Sequence, residues 1–297
     1  MKILFWFISI GIMCASFAIS AESIIEVNAL NYPVWIERDQ QKIPIGPGYQ
    51  LNQDDVIKTG QYGRAWLSLE DGSVVKLGQN AQFKITTAQY VGQNDGSILK
   101  AAFNVLKGAF RFTTSFFDAR KKIPHQISIK IGAITAGIRG TDIWGRANDA
   151  EDFVTLLEGL IEVNAEGEQT IMLSEPLSLY KKKRDQKADE VTVVDLTTVK
   201  KLGAETELST DEGIATTSGI YDLVLMSLND PSNLLQILDK FYQGGYAVDT
   251  MVIEVEGEKF TRVLIKGLVS KQAAENLSRR MIDEFSLQSV WVRKHSF

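Results

Sequence analysis

An alternating hairpin at residues 64–78 most strongly limits what this chain can fold into. Its sequence, RAWLSLEDGSVVKLG, alternates apolar and polar residues, turns at Asp71-Gly72 and resumes with a second apolar run. That combination is typical of a β-hairpin. Similar short strands, separated by glycine or polar turns, continue over residues 24–179 with no long helical period. This region is therefore predicted to be all-β, as a sandwich, a barrel or a short solenoid.

The first 21 residues have the layout of a secretory signal. Lys2 precedes an apolar run that ends near Ile19, and small residues lead up to Ala21. We therefore predict a signal peptide over residues 1–21 and a mature protein in the periplasm. The run is almost long enough to span a bilayer, so an uncleaved inner-membrane anchor is the alternative. After cleavage no segment of the sequence is expected to cross a membrane.

Composition argues against most catalytic and metal-binding classes. The single cysteine, Cys14, lies within the predicted signal peptide, so the mature chain would have no disulfide and no thiol nucleophile. The two histidines, His125 and His295, lack the close spacing of metal ligands. The net charge of -5 gives no general attraction to nucleic acid. We predict no enzyme activity, cofactor, metal or nucleic-acid partner, although a hydrolase with paired carboxylates would leave no sequence trace.

The stretch ITAGIRGTDIWG, at residues 134–145, is unusually rich in glycine for a strand. A phosphate-binding loop is excluded because no Gly-Lys-Ser/Thr follows and no helix is predicted after it. Glycine permits positive φ or close backbone approach, while the β-branched neighbours favour extended chain. We therefore predict a scaffold turn between two strands, formed by Gly137, Arg139, Gly140 and Thr141. Arg139 is expected to hold neighbouring carbonyls or a carboxylate.

Residues 180–219 differ in composition from what precedes them. After Tyr180 the segment has no aromatic residue, and it is rich in lysine, glutamate, aspartate and threonine. Such a composition is typical of a linker, here with a short strand predicted at Val191 to Val194. We expect a charged linker between two domains.

Residues 220–297 have a mixed pattern. A strand is followed by a helix with Asp230 as its N-cap and Pro231 at its first position, and a hairpin turns at Glu256-Gly257. A second helix starts at Ser270, and one strand ends the chain. The order strand, helix, strand, strand, helix, strand predicts an α+β, ferredoxin-like sheet with both helices on one face.

The face of this sheet without helices is a candidate binding surface. Strand alternation places Val263 and Val292 towards the helices, and their neighbours towards solvent. Aromatic rings stack on sugars, and arginines donate to hydroxyls or carboxylates. The predicted surface comprises Arg262, Lys266, Trp291 and Arg293, with Val224 and Met226 from the first strand. The alternative is a solvated sheet face that carries charges and one tolerated tryptophan.

Four motifs follow one another in the first half of the sequence: DDVIKTGQYGRAWLSLEDGSVVKLGQNAQFKI (54–85), LKGAFRF (106–112), IGAITAGIRGTDIWGR (131–146) and LLEGLIEV (156–163). In this order they resemble the FecR domain of bacterial envelope proteins, over residues 28–179. The resemblance implies an envelope protein of a Gram-negative bacterium, and Arg139-Gly140-Thr141 is similar to that family's recurring turn.

The second half resembles a SPOR domain, the module that binds peptidoglycan glycan strands without stem peptides. The sequence FTRVLIKGLVSKQAAENLSRRM, at residues 260–281, is similar to that family's Tyr-Arg-Val strand and the alanine-rich helix after it. Two family features differ, because Val224 stands where glutamine is common and Lys-Gly-Leu at 266–268 replaces a Gly-Pro-Phe turn. The resemblance implies a non-enzymatic protein that binds glycan and presents a FecR-type domain. A signalling or protein-interaction role with an envelope partner, and no glycan binding, is the alternative.

Overall fold

The structure is a computed structural model that describes residues 23–92, 98–114, 125–209, 212–215 and 219–294. The predicted signal peptide and His295 lie outside the described residues. Among the helices of the described ranges, none is both long and apolar enough to span a bilayer.

Residues 25–193 form a β-domain. Within the described residues its strands are β1 (Ile25–Asn31), β2 (Val34–Arg38), β3 (Gln41–Pro44), β4 (Gln50–Leu51), β5 (Val56–Thr59), β6 (Arg64–Leu69), β7 (Val74–Leu77), β8 (Gln82–Val91), β9 (Ile98–Thr113), β10 (His125–Ile131), β11 (Ile134–Ala147), β12 (Glu151–Ala165), β13 (Ile171–Leu173), β14 (Ser178–Lys183) and β15 (Thr192–Val193).

These strands make two layers that share three long strands. One layer has the order β1–β6–β7–β9–β11–β12–β14–β15. The other has the order β3–β2–β5–β8–β9–β10–β11–β12–β13. The long strands β9, β11 and β12 cross from one layer to the other, so the arrangement is a sandwich with continuous corners. The predicted all-β character of this region is confirmed.

Glycines with positive φ lie where the shared strands change layer. Gly108 in β9 has φ +88°, Gly140 in β11 has φ +61° and Gly159 in β12 has φ +94°. L-residues with a Cβ rarely adopt these angles. The corner is also tight, because a Cβ on Gly159 would lie 2.3 Å from the carbonyl oxygen of Gly140. Glycine at this corner therefore allows each strand to bend without ending.

The sequence predicts that the Arg-Gly-Thr stretch is a turn between two strands. In the structure it is instead an irregularity inside the single strand β11. The register of β11 against β12 shifts between Arg139 and Asp142. Thr141 is fully buried, while Arg139 is exposed and its side chain has no hydrogen bond or ion pair in the described part of the chain. Arg139 therefore does not hold the local backbone. The position of Gly137 does not require glycine on steric grounds, since a Cβ built there would lie 3.9 Å from the nearest atom.

The segment predicted as a linker is folded against the β-domain. It contains helix α1 (Leu196–Thr206), whose N-cap Asp195 accepts a 2.9 Å hydrogen bond from the backbone of Thr198, and strand β16 (Ile214–Ala215). Its acidic residues pair with basic residues on the sheet, and Thr206 is fully buried. The linker interpretation is wrong for this part because the charges are ion-pair partners rather than a solvated run. The short strand predicted near residue 192 is present as β15.

The C-terminal module contains β17 (Tyr221–Leu228), α2 (Leu234–Gly244), β18 (Asp249–Val255), β19 (Glu258–Leu268), α3 (Lys271–Phe285) and β20 (Trp291–Lys294). Its antiparallel strands have the spatial order β18–β19–β17–β20. Helix α3 begins after Ser270, whose side chain accepts from the backbone of Ala273, as the sequence predicts. Helix α2 begins later than predicted, with Asn233 as its N-cap, because Asp230 instead caps a turn at Ser232.

The module is continuous with the β-domain. Strand β16 pairs with β1 on one side and with β19 on the other, which joins the two sheets. The rings of Tyr32 and Tyr246 lie 5.6 Å apart, and a single cluster of buried apolar residues extends through both parts.

Candidate functional site

The open face of the C-terminal sheet has the side-chain parity that the third strand predicts. Val263 and Ile265 are buried in the core cluster beneath α2 and α3. Their neighbours Arg262 and Lys266 point to the opposite side of β19, and Leu264 is buried outside that cluster. The helices therefore cover one face of the sheet, and the polar residues belong to the other.

Arg262 and Trp291 are brought together on this open face. The guanidinium carbon of Arg262 lies 5.5 Å from the centre of the Trp291 ring, a cation–π arrangement. Because β17 lies between β19 and β20, this contact spans β17. Val224, the cross-strand partner of Trp291 on β17, is 0% exposed. Val224 supports the surface from below and is not available to a ligand, contrary to the prediction.

Met226 is not part of the open face. The register of β17 against β19 shifts between Val224 and Met226, which places Met226 opposite Val263. Met226 consequently packs against the core on the helix side. A β-bulge reverses side-chain parity, and simple alternation from the sequence does not detect it.

The remaining cations of the face have acidic neighbours. Arg293 donates to the carboxylate of Asp222 at 2.6 Å, and Asp222 is completely buried. Lys266 lies 3.7 Å from Asp249 at the edge of the sheet. The pairing fixes the position of Arg293, while Lys266 stays largely exposed and free to reorient. The predicted set omits both aspartates, although alternation from Val224 would have placed Asp222 on this face.

The surface has the character of a shallow platform. Trp291 is 37% exposed, and Arg262 and Arg293 are partly exposed beside it. The Nε atoms of both arginines are buried and lack a hydrogen-bond partner among the described residues. The Trp291 ring can stack on an apolar sugar face, and the guanidinium groups beside it can donate hydrogen bonds to hydroxyls or carboxylates.

The first histidine gives no sign of a catalytic or metal centre. The Nδ1 atom of His125 lies 4.0 Å from a carboxylate oxygen of Asp71. In the ranges that the structure covers, no three histidine, cysteine, aspartate or glutamate side chains form a group that could hold a metal ion.

Comparison with known families identifies part of the β-domain. The family described as FecR protein matches residues 55–162, which span β5 to most of β12. Residues 55–162 form a FecR domain. The resemblance of the first half is therefore confirmed over this range, whereas the SPOR resemblance of the C-terminal module stays a prediction.

Other comparisons extend over more of the chain with weaker similarity. Two crystal structures of a protein from Parabacteroides distasonis ATCC 8503, described as a "putative anti-sigma factor", are similar at 14% and 12% identity. Each comparison covers 78% of this chain and 95% of the other, with a TM-score of 0.36. No curated protein matches the chain.

Proposed function

We propose that this chain is a non-enzymatic periplasmic protein that binds glycan strands of peptidoglycan through the open face of its C-terminal module. The observation that carries the proposal is the partly exposed Trp291 ring beside the Arg262 guanidinium, on a sheet face without helices. The FecR domain would be held at the cell wall by this contact.

The topology of the module supports the proposal. The order β18–β19–β17–β20, with α2 and α3 on one face, supports the ferredoxin-like sheet that we propose for this module. That is the fold expected from the SPOR resemblance. The fully buried Val224 in place of the family's glutamine means that this surface would bind through the aromatic and basic residues rather than through an amide of β17.

The charges of the surface fit a glycan without stem peptides. Arg262 and Arg293 lie beside Trp291, and Lys266 lies farther along the same face. Arg293 pairs with the buried Asp222, and Lys266 pairs with Asp249 at the edge of the sheet. Muramic acid residues that have lost their peptides expose carboxylates, which arginine recognises well because its planar fork can donate two hydrogen bonds. Stem peptides would prevent a flat surface from approaching the sugar rings.

A co-sedimentation assay with purified sacculi tests the proposal. The wild-type chain should sediment with amidase-treated sacculi and much less with untreated ones. Trp291→Ala should weaken binding roughly thirty-fold, since loss of an aromatic anchor costs about 2 kcal/mol or more. Leu235→Ala is the matched control, because Leu235 is 81% exposed on the surface of α2, away from the open face. Failure of the wild type to sediment with treated sacculi would reject glycan binding.

A second candidate function is regulation in envelope signalling through a protein partner. The observation that favours it is the FecR domain at residues 55–162. In this case the open face would not bind glycan, and a defined envelope protein would bind the FecR domain. Chemical cross-linking in intact cells distinguishes the two functions. If the chain is a regulator that binds a protein partner, Trp291→Ala should leave the cross-link to that partner unchanged. If the partner is reached only after the chain has attached to the cell wall, Trp291→Ala should abolish the cross-link.

A further inference from the structure

A row of basic and aromatic side chains crosses the outer face of the FecR domain. Trp66 is the cross-strand partner of Lys76, Lys76 of Arg111, and Arg111 of Trp144. Lys76 lies 4.1 Å from the centre of the Trp66 ring. We call this surface the cation–aromatic face, and it consists of Arg64, Trp66, Lys76, Arg111 and Arg146. The ring of the buried Trp144 lies 5.3 Å from the guanidinium carbon of Arg146, and Arg111 also pairs with Asp142 at 2.6 Å.

Three consecutive residues at the end of α1 occupy this face. The carboxylate of Glu207 accepts from Lys76 at 2.7 Å and from Arg111 at 3.1 Å, and that of Glu205 pairs with Arg146. This set, Glu205-Thr206-Glu207, is called the acidic tripeptide below. Each glutamate is therefore neutralised by a cation of the FecR domain.

The face also recognises the backbone of the acidic tripeptide. Trp66 donates from Nε1 to the carbonyl of Thr206 at 3.1 Å, and Arg64 donates from Nε to the carbonyl of Glu205 at 3.2 Å. A Cβ on Gly78 would lie 2.9 Å from the Glu205 carbonyl oxygen, so glycine there permits the approach. Contacts to main chain and side chain together define a peptide-binding arrangement rather than chance ion pairs.

The contact depends on polar interactions rather than on apolar burial. Thr206 is the one residue of α1 that is buried, and Leu196 at the start of the helix is 67% exposed. The side chains of Glu205 and Glu207 are 40% and 36% exposed, so salt screens their ion pairs. An exposed polar contact of this kind contributes little to folding and can be exchanged for an equivalent one from another chain.

We propose that the cation–aromatic face is a peptide-binding site of the FecR domain, that its ligand is an acidic segment with a Glu-x-Glu pattern in a partner protein, and that the acidic tripeptide occupies the site in the same chain and limits access. The partner's segment would displace residues 205–207 and take over the contacts of Lys76, Arg111 and Arg146. This site is separate from the open face and does not depend on glycan binding.

Binding of a labelled synthetic peptide with the sequence of residues 202–209 tests this proposal by fluorescence anisotropy. A full chain that carries both Glu205→Gln and Glu207→Gln, called the vacated chain, should leave the cation–aromatic face unoccupied. It should bind the peptide at least ten-fold more tightly than the wild type does. The affinity should fall at high salt. A peptide with glutamine at both glutamate positions should not bind. Asp185→Asn with Glu190→Gln is the matched control, because it removes the same charge from two exposed residues that precede α1 in the sequence.

A second pair of changes keeps the result interpretable if the vacated chain is less stable. Lys76→Gln with Arg146→Gln, added to the vacated chain, should abolish peptide binding while the thermal melt stays close to that of the vacated chain. The proposal is overturned if the folded, vacated chain does not bind the peptide. It is also overturned if the wild type binds the peptide as tightly as the vacated chain, because the acidic tripeptide would then not limit access.

Discussion

Arg280 of α3 donates a 2.8 Å hydrogen bond to the backbone carbonyl of Tyr32 in the loop between β1 and β2. Its other terminal nitrogen donates to the side chain of Asn31, also at 2.8 Å. Burial lowers the pKa of Arg280, although the cation is retained at any ordinary pH. The two parts of the chain are thus connected by a partly buried, charge-assisted contact as well as by apolar packing.

Arg280→Ala should therefore destabilise the whole chain. The change leaves the acceptors of Tyr32 and Asn31 partly unpaired, which should lower the free energy of unfolding by about 1–3 kcal/mol. Urea denaturation measures it. Arg279→Ala is the matched control, since the neighbouring Arg279 is exposed and should change the free energy of unfolding by less than about 0.5 kcal/mol. Equal effects of the two changes would show that the Arg280 contact does not support the interface.

The corner of the sandwich can be tested with two glycines that share positive φ. Gly159 has φ +94° and Gly167 has φ +81°, but a Cβ on Gly167 would meet nothing within 4 Å. Gly167→Ala should cost about 1 kcal/mol from backbone strain alone. Gly159→Ala adds a clash with the Gly140 carbonyl and should cost on the order of 3 kcal/mol or more. Similar melting temperatures for the two variants would contradict the tight corner.

Side-chain parity in the C-terminal sheet predicts opposite outcomes for two substitutions. Val263→Ala removes methyl groups from a fully buried site and should lower the free energy of unfolding by about 1–3 kcal/mol. Trp291→Ala empties a partly exposed site and should change stability little. Thermal melts of both variants provide the measurement. A large loss of stability for Trp291→Ala would mean that the open face is covered.

The predicted signal peptide fixes where the mature chain should start. The small residues before Ala21 should direct signal-peptide cleavage, so the mature protein should begin at Glu22. Intact-mass measurement on protein purified from the periplasm tests this. A chain that retains Met1 and fractionates with membranes would support the anchor.

Local signals in the sequence account for the elements that were predicted well. The alternation of β19 places Val263 in the core, and the Ser270 cap with an apolar stripe predicts α3. Met226 was misplaced because a bulge adds one residue to β17, and bulges have no reliable sequence signature. The bends of β9, β11 and β12 resembled separate short strands, since a glycine inside a strand and a glycine in a turn look alike.

Contacts between distant residues explain what the sequence could not predict. The acidic tripeptide pairs with Lys76 and Arg111, which lie 131 and 96 residues away in the chain. Composition correctly describes residues 180–219 as charged, but it does not reveal whether opposite charges elsewhere are arranged to receive them. Within this segment Asp195 is of a residue type favoured at helix N-caps, a helix-start signal that could have indicated α1.

The two-residue strand β16 removes rotational freedom between the two parts of the chain. It pairs with β1 and with β19, so the backbone hydrogen bonds of Ile214 and its neighbour fix the angle between the FecR domain and the C-terminal sheet. Copies that attach to one polysaccharide through the open face would therefore all hold their FecR domains in the same orientation relative to that polysaccharide.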